Sequence, residues 1–582
     1  MKSLLYLNKY FAKYKFRLAL GVLFILLSNA AQVYIPILLK ESIDLLRTQI
    51  SYKVLLRYSL LIVATAVLGG IFRFLIRITI IIVSRKIEYD LRSDFWNHIQ
   101  NLPVRFFQNN STGDIMAHVT NDIRAIRMYI GPAVMFSVDT ITKIIIVLVI
   151  MFSMNPELTI YTLLPLPLLS FLVYKLSKKI HTRFEKIQEK FSELTTKAQE
   201  SFSGIRVVKS YVLEKTEINR FTKLSNEYLN RNMDKVKIQA LFMPMLFLIT
   251  GISVIIVVWL GGSMVIENKL TLGEVVAFIA YLGLLIWPVI AFGWIINIIQ
   301  QASASMKRLL KIIDEKDDTI DTIQTDKNIK SINGDIEFKN VSFKYSDKLD
   351  NIIKNISFKV KKGETLAIVG HTGSGKSTLI NLIPRLFDVT EGEILIDGKN
   401  IKQIPKNILR KNIGIVPQET FLFSDTLFNN IAYGLENANT ETITQVSEIS
   451  QLTKDIEQFV DGYETVLGER GITLSGGQKQ RASLARALAI NPKILILDDS
   501  FSAVDTHTEE EILIKLKEFM KGRTSIIISH RISTVKHADK IIVLQNGKIV
   551  EQGKHNELIK LNGIYADLHT KQLLEEELKE MK

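Results

Sequence analysis

Long apolar runs separated by basic and polar stretches occupy the first half of the chain, and shorter apolar runs follow them. A membrane-spanning helix needs about 20 apolar residues to cross about 30 Å of hydrocarbon. Six segments meet that requirement, and the pattern predicts spanning helices at about 16–39, 54–83, 131–153, 157–179, 240–265 and 274–299. Several exceed the minimum, so we expect helices that tilt or that continue beyond the membrane.

The basic residues of the loops are unevenly distributed. The links at 153–158 and 266–273 carry almost no Lys or Arg, whereas 84–130 and 175–238 carry many, and 180–235 has i,i+4 charges typical of a helix. Because cytoplasmic loops are enriched in Lys and Arg, the pattern predicts a multi-pass protein with both termini in the cytoplasm. The basic residues and the first apolar run that follows them could form a signal peptide, but apolar sequence continues to Leu39, which favours an uncleaved span.

Four charged residues fall inside the predicted spans: Arg73, Arg77, Asp139 and Lys143. Charges at membrane depth are costly and usually face the interior of a bundle or a wet cavity. Asp139 and Lys143 are one helical turn apart, so one interpretation pairs them and places both arginines near the cytoplasmic end of a long helix. The other interpretation makes the basic residues the lining of a cavity that receives an anionic headgroup.

Composition and charge add further constraints. A chain of 582 residues is too long for a single core, so we expect at least two domains. The net charge of +14 would suit nucleic-acid binding, but the Lys and Arg residues flank the apolar runs, and we expect no nucleic-acid partner. Because the sequence has no Cys, disulfides, thiolate metal sites and cysteine nucleophiles are excluded.

From about residue 336 the pattern changes to short β-rich runs that alternate with helices, as in α/β nucleotide-binding domains. One run, 365–369, precedes a glycine-rich loop and then a helix, which is the context of a phosphate-binding loop. This loop consists of Gly370, His371, Thr372, Gly373, Ser374, Gly375, Lys376 and Ser377, and Thr378 follows in the helix. Its backbone N–H groups and Lys376 would bind the phosphates of a nucleotide, and Ser377 would offer its hydroxyl to Mg²⁺.

A second apolar run, 494–497, ends in Asp498 and Asp499. Ligands of open α/β sheets bind beyond the carboxyl ends of the strands, so we expect these carboxylates at the nucleotide site. Asp498 fits the residue that holds Mg²⁺ in phosphate-loop ATPases. Together the two motifs predict an ATPase that uses ATP and Mg²⁺.

The segment from Leu474 to Gln478 narrows the class of ATPase. It reads Leu-Ser-Gly-Gly-Gln and comes shortly before the strand that ends at Asp498. With the phosphate loop, it resembles the signature of the ATP-binding cassette (ABC) family, and six spans followed by one cassette resemble the exporter class of that family. The resemblance implies a multidomain membrane protein, with an all-α six-helix transmembrane domain at 1–315, a linker at 316–335 and an α/β P-loop nucleotide-binding domain at 336–582.

The resemblance also assigns roles to single residues. It implies that Tyr345 stacks on adenine, that Gln418 senses the γ-phosphate and Mg²⁺, and that His530 is the switch histidine. Asp505 matches the loop aspartate that follows the Mg²⁺ strand. The predicted catalytic residues are Lys376, Gln418, Asp499 and His530, and the predicted metal ligands are Ser377, Gln418 and Asp498.

A dimer follows from the same resemblance. In this family two cassettes clamp ATP between the phosphate loop of one and the signature of the other. The signature residues expected to reach the partner's nucleotide are Ser475, Gly476, Gly477 and Gln478. The chain therefore needs a second half-transporter subunit, and short coupling helices near 112–119 and 210–215 are expected to press on the cassettes.

The chain departs from the family pattern at Asp499, where most members carry Glu. A general base acts within about 2.6–3.2 Å of its proton or through one water, and the shorter side chain retracts the carboxylate by one C–C bond. The same substitution occurs in the impaired site of heterodimeric exporters, which favours a partner that is not a copy of this chain. His530 is retained, whereas strongly impaired sites often lose it, and a homodimer with an active Asp499 is the alternative.

We expect ATP-driven export of an amphipathic substrate, such as a lipid or a drug, by alternating access. The alternatives are an ATP-gated conduit of the same fold and a peptide exporter, whereas the six spans disfavour a soluble cassette ATPase. The basic residues in the spans favour an anionic amphiphile. The expected location is the cell inner (plasma) membrane, in contact with membrane lipid and with the ATPase domain in the cytoplasm.

Overall fold

The structure is a computed structural model that describes residues 2–48, 52–317, 319–321, 325–346, 348–468, 471 and 473–580. Its contacts divide the chain into two compact units, one comprising 1–100 and 112–315 and the other 101–111 and 316–582. The division after residue 315 falls where the sequence predicts the end of the transmembrane domain. Residues 318 and 322–324 of the predicted linker lie outside the described residues.

The first unit consists of helices. Its α-helices are Asn8–Lys13, Lys15–Thr48, Tyr52–Ile76, Ile82–Gln100, Thr112–Ala117, Ile123–Met128, Val134–Met154, Pro156–Leu163, Pro165–Ser203, Ile205–Ser210, Glu214–Ala240, Phe242–Ile256, Gly262–Ile266 and Leu272–Ile313. A 3₁₀ helix spans Lys2–Leu7, and single π-helical turns lie at Arg77–Ile81, His118–Asp122, Tyr129–Ala133 and Val257–Gly261. These turns join consecutive α-helices into longer rods, as π-bulges commonly do.

Among the described residues, five helices are long and apolar enough to cross a membrane: Lys15–Leu46, Tyr52–Gln100, Thr112–Met154, Glu214–Ile266 and Leu272–Ile313. They contain five of the six predicted spans. The sixth, 157–179, falls on Pro156–Leu163 and Pro165–Ser203, which are separated at Leu164 and are not among the five. Pro165 has no backbone N–H and stands at the start of the second helix, where that group would have no helical partner. This sixth span stays a prediction.

Two long helices, Pro165–Ser203 and Glu214–Ala240, occupy most of the second basic loop. The charge pattern predicted ion pairs within a helix, but the structure also forms pairs across the two helices. These cross-helix pairs are Arg183–Asp234 at 3.2 Å, Lys190–Glu227 at 3.1 Å and Lys197–Glu217 at 2.6 Å. The predicted coupling helix near 210–215 falls on the turn that joins these helices, and the one near 112–119 falls on Thr112–Ala117 and the following π turn. Both coupling roles stay predictions.

The core of the first unit gathers around the helix Leu272–Ile313. Tyr281 on that helix is fully buried, and its hydroxyl donates to the Val33 carbonyl at 3.0 Å. Thr271 and Glu274 form a capping box that satisfies the N–H groups at the start of the helix, and Lys40 pairs with Glu274 at 2.9 Å. These contacts fix the entry of the last predicted span.

The second unit contains two sheets. Its strands are β1 (Ile336–Phe343), β2 (Ile353–Val360), β3 (Thr365–Val369), β4 (Glu391–Ile396), β5 (Lys399–Asn400), β6 (Ile413–Val416), β7 (Ile494–Asp498), β8 (Thr524–Ile528), β9 (Lys540–Gln545) and β10 (Lys548–Gly553). The smaller sheet has the antiparallel order β2-β1-β4-β5. The larger has the order β10-β9-β3-β8-β7-β6, in which only the edge strand β10 is antiparallel. The carboxyl ends of β3, β6, β7 and β8 therefore lie along one edge.

Helices surround the sheets of the second unit. Its α-helices are Val104–Asn109, Lys376–Asn381, Lys406–Lys411, Leu427–Ile431, Thr440–Ile449, Thr453–Ile456, Gly476–Ala489, Thr506–Met520, Ile532–Val535, His555–Lys560 and Ile564–Glu580, and 3₁₀ turns lie at Ile401–Gln403, Ala432–Gly434 and Gly462–Glu464. Strand β7 is buried along its whole length, as is usual for a parallel strand covered on both faces. The predicted α/β fold of this domain is confirmed.

Candidate nucleotide site

The phosphate-binding loop leaves the carboxyl end of β3 and enters the helix Lys376–Asn381. Gly375 has φ 100°, a left-handed conformation that glycine adopts at little cost. Gly370 lies so close to the neighbouring strand β9 that an added Cβ would stand 2.2 Å from the Leu544 carbonyl oxygen. Two glycines of the motif are therefore required by the backbone itself.

The side chain of Lys376 extends back across the phosphate-binding loop. Its Nζ donates to the carbonyls of Gly370 at 2.8 Å and His371 at 3.0 Å, and the side chain is buried. Burial lowers the pKa of Lys376, while the nearby carboxylates of Asp498 and Asp499 act in the opposite direction. A cation held at a helix N-terminus among free backbone N–H groups suits a polyphosphate.

Ser374 gives the loop an unsatisfied donor. Its Oγ is buried and has no hydrogen-bond partner among the described residues. A buried hydroxyl without a partner is costly, and a phosphate oxygen would satisfy it. The loop therefore fits the nucleotide that its sequence predicts.

Asp498 is the last residue of β7 and receives a hydrogen bond from Ser377 of the phosphate loop. Burial raises the pKa of Asp498; the hydrogen bond from Ser377 opposes this, the charge of Asp499 adds to it, and Lys376 and His530 oppose it. The structure thus brings together the loop, both carboxylates and the predicted switch histidine. A buried carboxylate beside a hydroxyl is a fitting pair of oxygen ligands for Mg²⁺.

Asp499 is held firmly by its backbone. Its φ of 48° lies in the left-handed region, and its N–H donates to the Ile528 carbonyl at 2.9 Å. Its own carbonyl accepts a hydrogen bond from the Ser502 hydroxyl at 3.1 Å. Since both peptide groups are bonded, the main chain at this position has little freedom to move the carboxylate forward.

Tyr345 lies beside the phosphate loop. Its hydroxyl is 3.2 Å from the Thr378 hydroxyl, and its ring packs edge-on against Phe343 and Phe387, with centroids 5.0 and 5.3 Å away. The aromatic side chain thus adjoins the helix that the nucleotide would face. Stacking on adenine stays a prediction.

Gln418 follows β6 and is exposed. Because β6 pairs in parallel with β7, Gln418 lies at the same edge of the sheet as Asp498. No hydrogen bond to its side chain is found among the residues that the structure describes. Its predicted contact with the γ-phosphate and Mg²⁺ stays a prediction.

The signature residues begin the helix Gly476–Ala489. Ser475 caps that helix, its hydroxyl accepting from the Gln478 N–H at 3.2 Å, and the Gln478 side chain accepts from the Ser475 N–H at 2.9 Å. The two glycines lie against the loop after β7, since a Cβ on Gly477 would stand 2.9 Å from the Ala503 carbonyl oxygen. The helix N-terminus is thereby left with small residues, which suits the close approach of an anion.

Within the described part of the chain, no hydrogen bond or ion pair joins residues 370–378 to residues 475–478. The phosphate loop packs against β9 through Gly370, whereas the signature packs against the loop after β7. Asp505, which follows that loop, caps the helix Thr506–Met520 by accepting from the Thr508 N–H at 2.9 Å. The phosphate loop and the signature therefore pack against different parts of this domain.

Three polar residues near these motifs make contacts that the sequence does not predict. Gln480 donates to the Ser502 hydroxyl at 2.9 Å, Glu509 pairs with Arg531, and Gln572 bonds the backbone on either side of Arg531. Each contact joins segments distant in the sequence, so neither periodicity nor spacing could have revealed it.

Comparison with known proteins identifies the family. Residues 18–289 match the ABC transporter transmembrane region, and residues 353–502 match the ABC transporter domain. The chain is 38% identical over 581 residues to a probable multidrug resistance ABC transporter ATP-binding/permease protein, YheI, of Bacillus subtilis (strain 168), covering 98% of this chain and 97% of the relative. This chain belongs to the ABC transporter family.

Two further comparisons refine the class. An ATP-dependent lipid A-core flippase of Syntrophus aciditrophicus (strain SB) is 35% identical over 565 residues, covering 97% of this chain and 93% of the flippase. The solved structure of a bacterial Atm1-family ABC exporter with ATP bound superposes with a TM-score of 0.79 at 29% identity, covering 96% of this chain and 99% of that one. The chain is thus an ABC exporter half-transporter, a multi-pass membrane protein with an ATP-binding ATPase domain.

Proposed function

We propose that this chain uses ATP hydrolysis to export an anionic amphiphile, working by alternating access in a dimer with a second half-transporter. The observation that carries the dimer is the separation of the phosphate loop from the signature, which have no bond to each other among the described residues. A second cassette would place its signature over this chain's phosphate loop and receive the signature of this chain in return. ATP then supplies the energy that distinguishes the open from the closed arrangement.

The residues around the phosphate loop have separate tasks in this proposal. Lys376 exchanges its two carbonyl partners for phosphate oxygens, and Ser374 and the helix N–H groups bind the remaining oxygens. Asp499 orients the attacking water, and His530 lies near Asp498 at the γ-phosphate end of the site. Gln418 is exposed at the sheet edge, where it is available to the nucleotide.

The same site fits Mg²⁺ through Ser377 and Asp498, with Gln418 as the third predicted ligand. Within the described residues no group of three or more His, Cys, Asp and Glu side chains could hold a metal by itself. Mg²⁺ usually keeps several waters and binds through one or two protein ligands and the substrate phosphates. When bound, the ion would neutralise negative charge on the phosphates.

Asp499 supports a dimer in which the two nucleotide sites hydrolyse ATP at unequal rates. Its backbone is bonded on both sides, so the missing methylene cannot be compensated by a shift of the main chain. The nucleotide site on this chain's phosphate loop is therefore slow, whereas the intact signature completes a faster site on a partner that carries Glu. This favours a heterodimer over two copies of the chain.

The substrate class is inferred from a cavity of about 290 Å³ within the first unit. Arg73, Arg77, Asp139 and Lys143 line it, together with the exposed ring of Trp287. Lys143 pairs with Asp139 at 3.2 Å, in agreement with the first interpretation of these charges. Among the described residues neither arginine has an ion pair, so the cavity carries an excess of positive charge beside apolar surface. An anionic headgroup with an apolar body fits both features.

The location follows from the spans and the loop charges. Five helices of the described residues are suited to crossing a membrane, and along the sequence the basic stretches 84–130 and 175–238 alternate with links that carry almost no Lys or Arg. We place the chain in the inner (plasma) membrane, with both termini and the ATPase domain in the cytoplasm.

The test uses vesicles that contain the purified exporter and either labelled phosphatidylglycerol, which is anionic, or labelled phosphatidylcholine, which is zwitterionic. With ATP, we expect the anionic lipid to accumulate in the leaflet away from the ATPase domain until it exceeds its concentration in the other leaflet. The double variant Arg73→Gln, Arg77→Gln should reduce the preference for the anionic lipid over the zwitterionic one. Arg57→Gln is the matched control, since Arg57 lies on the same helix and does not line the cavity.

Two outcomes would contradict the proposal. If ATP only speeds the equal distribution of lipid between leaflets, the chain is a conduit instead of a pump. If both lipids move alike and the arginine variants match Arg57→Gln, the cavity does not select an anionic headgroup.

A further inference from the structure

The loop that carries His530 lies between β8 and the short helix Ile532–Val535. The N-cap residue of that helix, Arg531, makes no side-chain capping bond. The first N–H groups of any helix have no partner within the helix and need one from elsewhere. At this position the partner comes from a distant part of the chain.

That partner is Gln572, on the C-terminal helix Ile564–Glu580. Its side-chain oxygen accepts from the Ile532 N–H at 2.7 Å, and its side-chain nitrogen donates to the His530 carbonyl at 3.2 Å. One amide group thus satisfies a donor and an acceptor two residues apart. The two bonds fix the peptide groups on both sides of Arg531 and, with them, the direction in which the His530 side chain leaves the backbone.

The opposite side of the loop is held by Glu509. This carboxylate is buried, pairs with Arg531 and accepts a hydrogen bond from the Thr534 hydroxyl at 2.7 Å. Glu509 lies in the first turns of the helix Thr506–Met520, which Asp505 caps. Removing this buried carboxylate would leave the charge of Arg531 and the hydroxyl of Thr534 without their partner, which would disturb the fold itself. Gln572, which is only half-buried, is the better residue to change.

We propose that Gln572 is a positioning residue for His530: it caps the switch loop from the C-terminal helix and holds the histidine at the γ-phosphate end of the site. This inference rests on the role assigned to His530 under the proposed function. None of the hydrogen bonds of Gln572 reaches the phosphate loop, so its loss should slow hydrolysis while leaving nucleotide affinity unchanged.

The experiment compares Gln572→Leu with Gln572→Glu in the full-length exporter. Leu removes both bonds, whereas Glu keeps an acceptor for the Ile532 N–H. The matched control is Lys571→Leu on the neighbouring position, where the exposed side chain pairs with Asp567 at 2.8 Å. Single-turnover ATP hydrolysis, the ATP concentration at half-saturation, and hydrogen exchange of the Ile532 amide are measured for each.

For Gln572→Leu we expect hydrolysis to slow by about 5- to 10-fold, the range that the loss of one or two hydrogen bonds gives. Half-saturation should be unchanged and exchange at Ile532 faster, with Gln572→Glu intermediate and Lys571→Leu like the parent. Unaltered exchange would show that the cap is absent. Faster exchange with unaltered hydrolysis would refute the positioning role.

A His530→Ala variant separates this inference from the proposed function. If His530→Ala hydrolyses ATP at the parental rate, the role of His530 in the proposed function is wrong, and Gln572 loses its catalytic consequence with it. If His530→Ala is slow and Gln572→Leu is not, only the inference about Gln572 is wrong.

Discussion

The substitution Asp499→Glu tests the unequal sites most directly. The peptide groups of Asp499 are bonded to Ile528 at 2.9 Å and Ser502 at 3.1 Å, so the added methylene advances the carboxylate instead of being absorbed by the backbone. The advance is about 1.5 Å, one C–C bond. A general base must lie within about 2.6–3.2 Å of the proton that it takes. An advance of about 1.5 Å therefore decides whether the carboxylate reaches the attacking water directly.

The expected gain can be estimated from the same displacement. A misplacement of about 1 Å costs roughly 10²-fold in rate. We therefore expect Asp499→Glu to speed hydrolysis by about 10²-fold, which corresponds to about 2.7 kcal/mol of activation free energy. The ATP concentration at half-saturation should not change, because the phosphate loop is untouched.

The assay is single-turnover ATP hydrolysis by the purified full-length exporter, with both subunits present, in lipid nanodiscs. Asp461→Glu is the matched control, since Asp461 is exposed and makes no side-chain capping bond. If the parent already hydrolyses ATP rapidly and Asp499→Glu changes the rate no more than Asp461→Glu does, the geometric argument for a slow site is wrong.

Three further predictions follow from the second unit. Lys376→Ala should abolish ATP-driven transport in vesicles, because it removes the buried cation that crosses the phosphate loop; sustained pumping by the variant would contradict the assignment. Gly370→Ala should destabilise the unit by about 3 kcal/mol or more in denaturant unfolding, since its Cβ would meet the Leu544 carbonyl at 2.2 Å, whereas Gly373→Ala, with open space around it, should cost about 1 kcal/mol. Burial lowers the pKa of His555 below its usual value of 6.5, so the unfolded chain binds a proton that the folded chain does not. Stability from this source is present above about pH 6.5 and lost below it, and His555→Gln should flatten the thermal-unfolding profile between about pH 7.5 and 5.5.

The predictions from sequence succeeded where the physical signal is local. A buried parallel strand is a short, continuous apolar run, so the strands at 365–369 and 494–498 could be placed closely. Five of the predicted spans coincide with helices that are long and apolar enough to cross a membrane, because length and hydropathy are properties of single segments. The predicted span at 157–179 falls on two helices that are separated at Leu164, beside Pro165. The ion pairs between Pro165–Ser203 and Glu214–Ala240 required the packing of two helices, which no single segment encodes.

The residues of the nucleotide site also fall into those with a local signal in the sequence and those without one. The phosphate loop and signature are contiguous stretches whose backbone geometry demands particular residues, such as Gly370 and Ser475, and so they can be recognised in one sequence. Gln572 is an ordinary glutamine on an ordinary helix, 42 residues from His530. Its bonds exist only because the fold returns the C-terminal helix to the end of β8. Positioning contacts of this kind become visible only in three dimensions.

The signature helix and Asp499 are joined within one chain by two side chains. Gln480 on the signature helix donates to Ser502 at 2.9 Å and accepts from the Ala503 N–H at 2.9 Å, and Ser502 donates to the Asp499 carbonyl at 3.1 Å. In the proposed dimer, Asp499 acts on this chain's nucleotide, whereas the signature acts on the partner's. In that dimer, the hydrogen bonds from Gln480 through Ser502 to Asp499 therefore connect the signature helix that faces one nucleotide with the residue whose carboxylate faces the other.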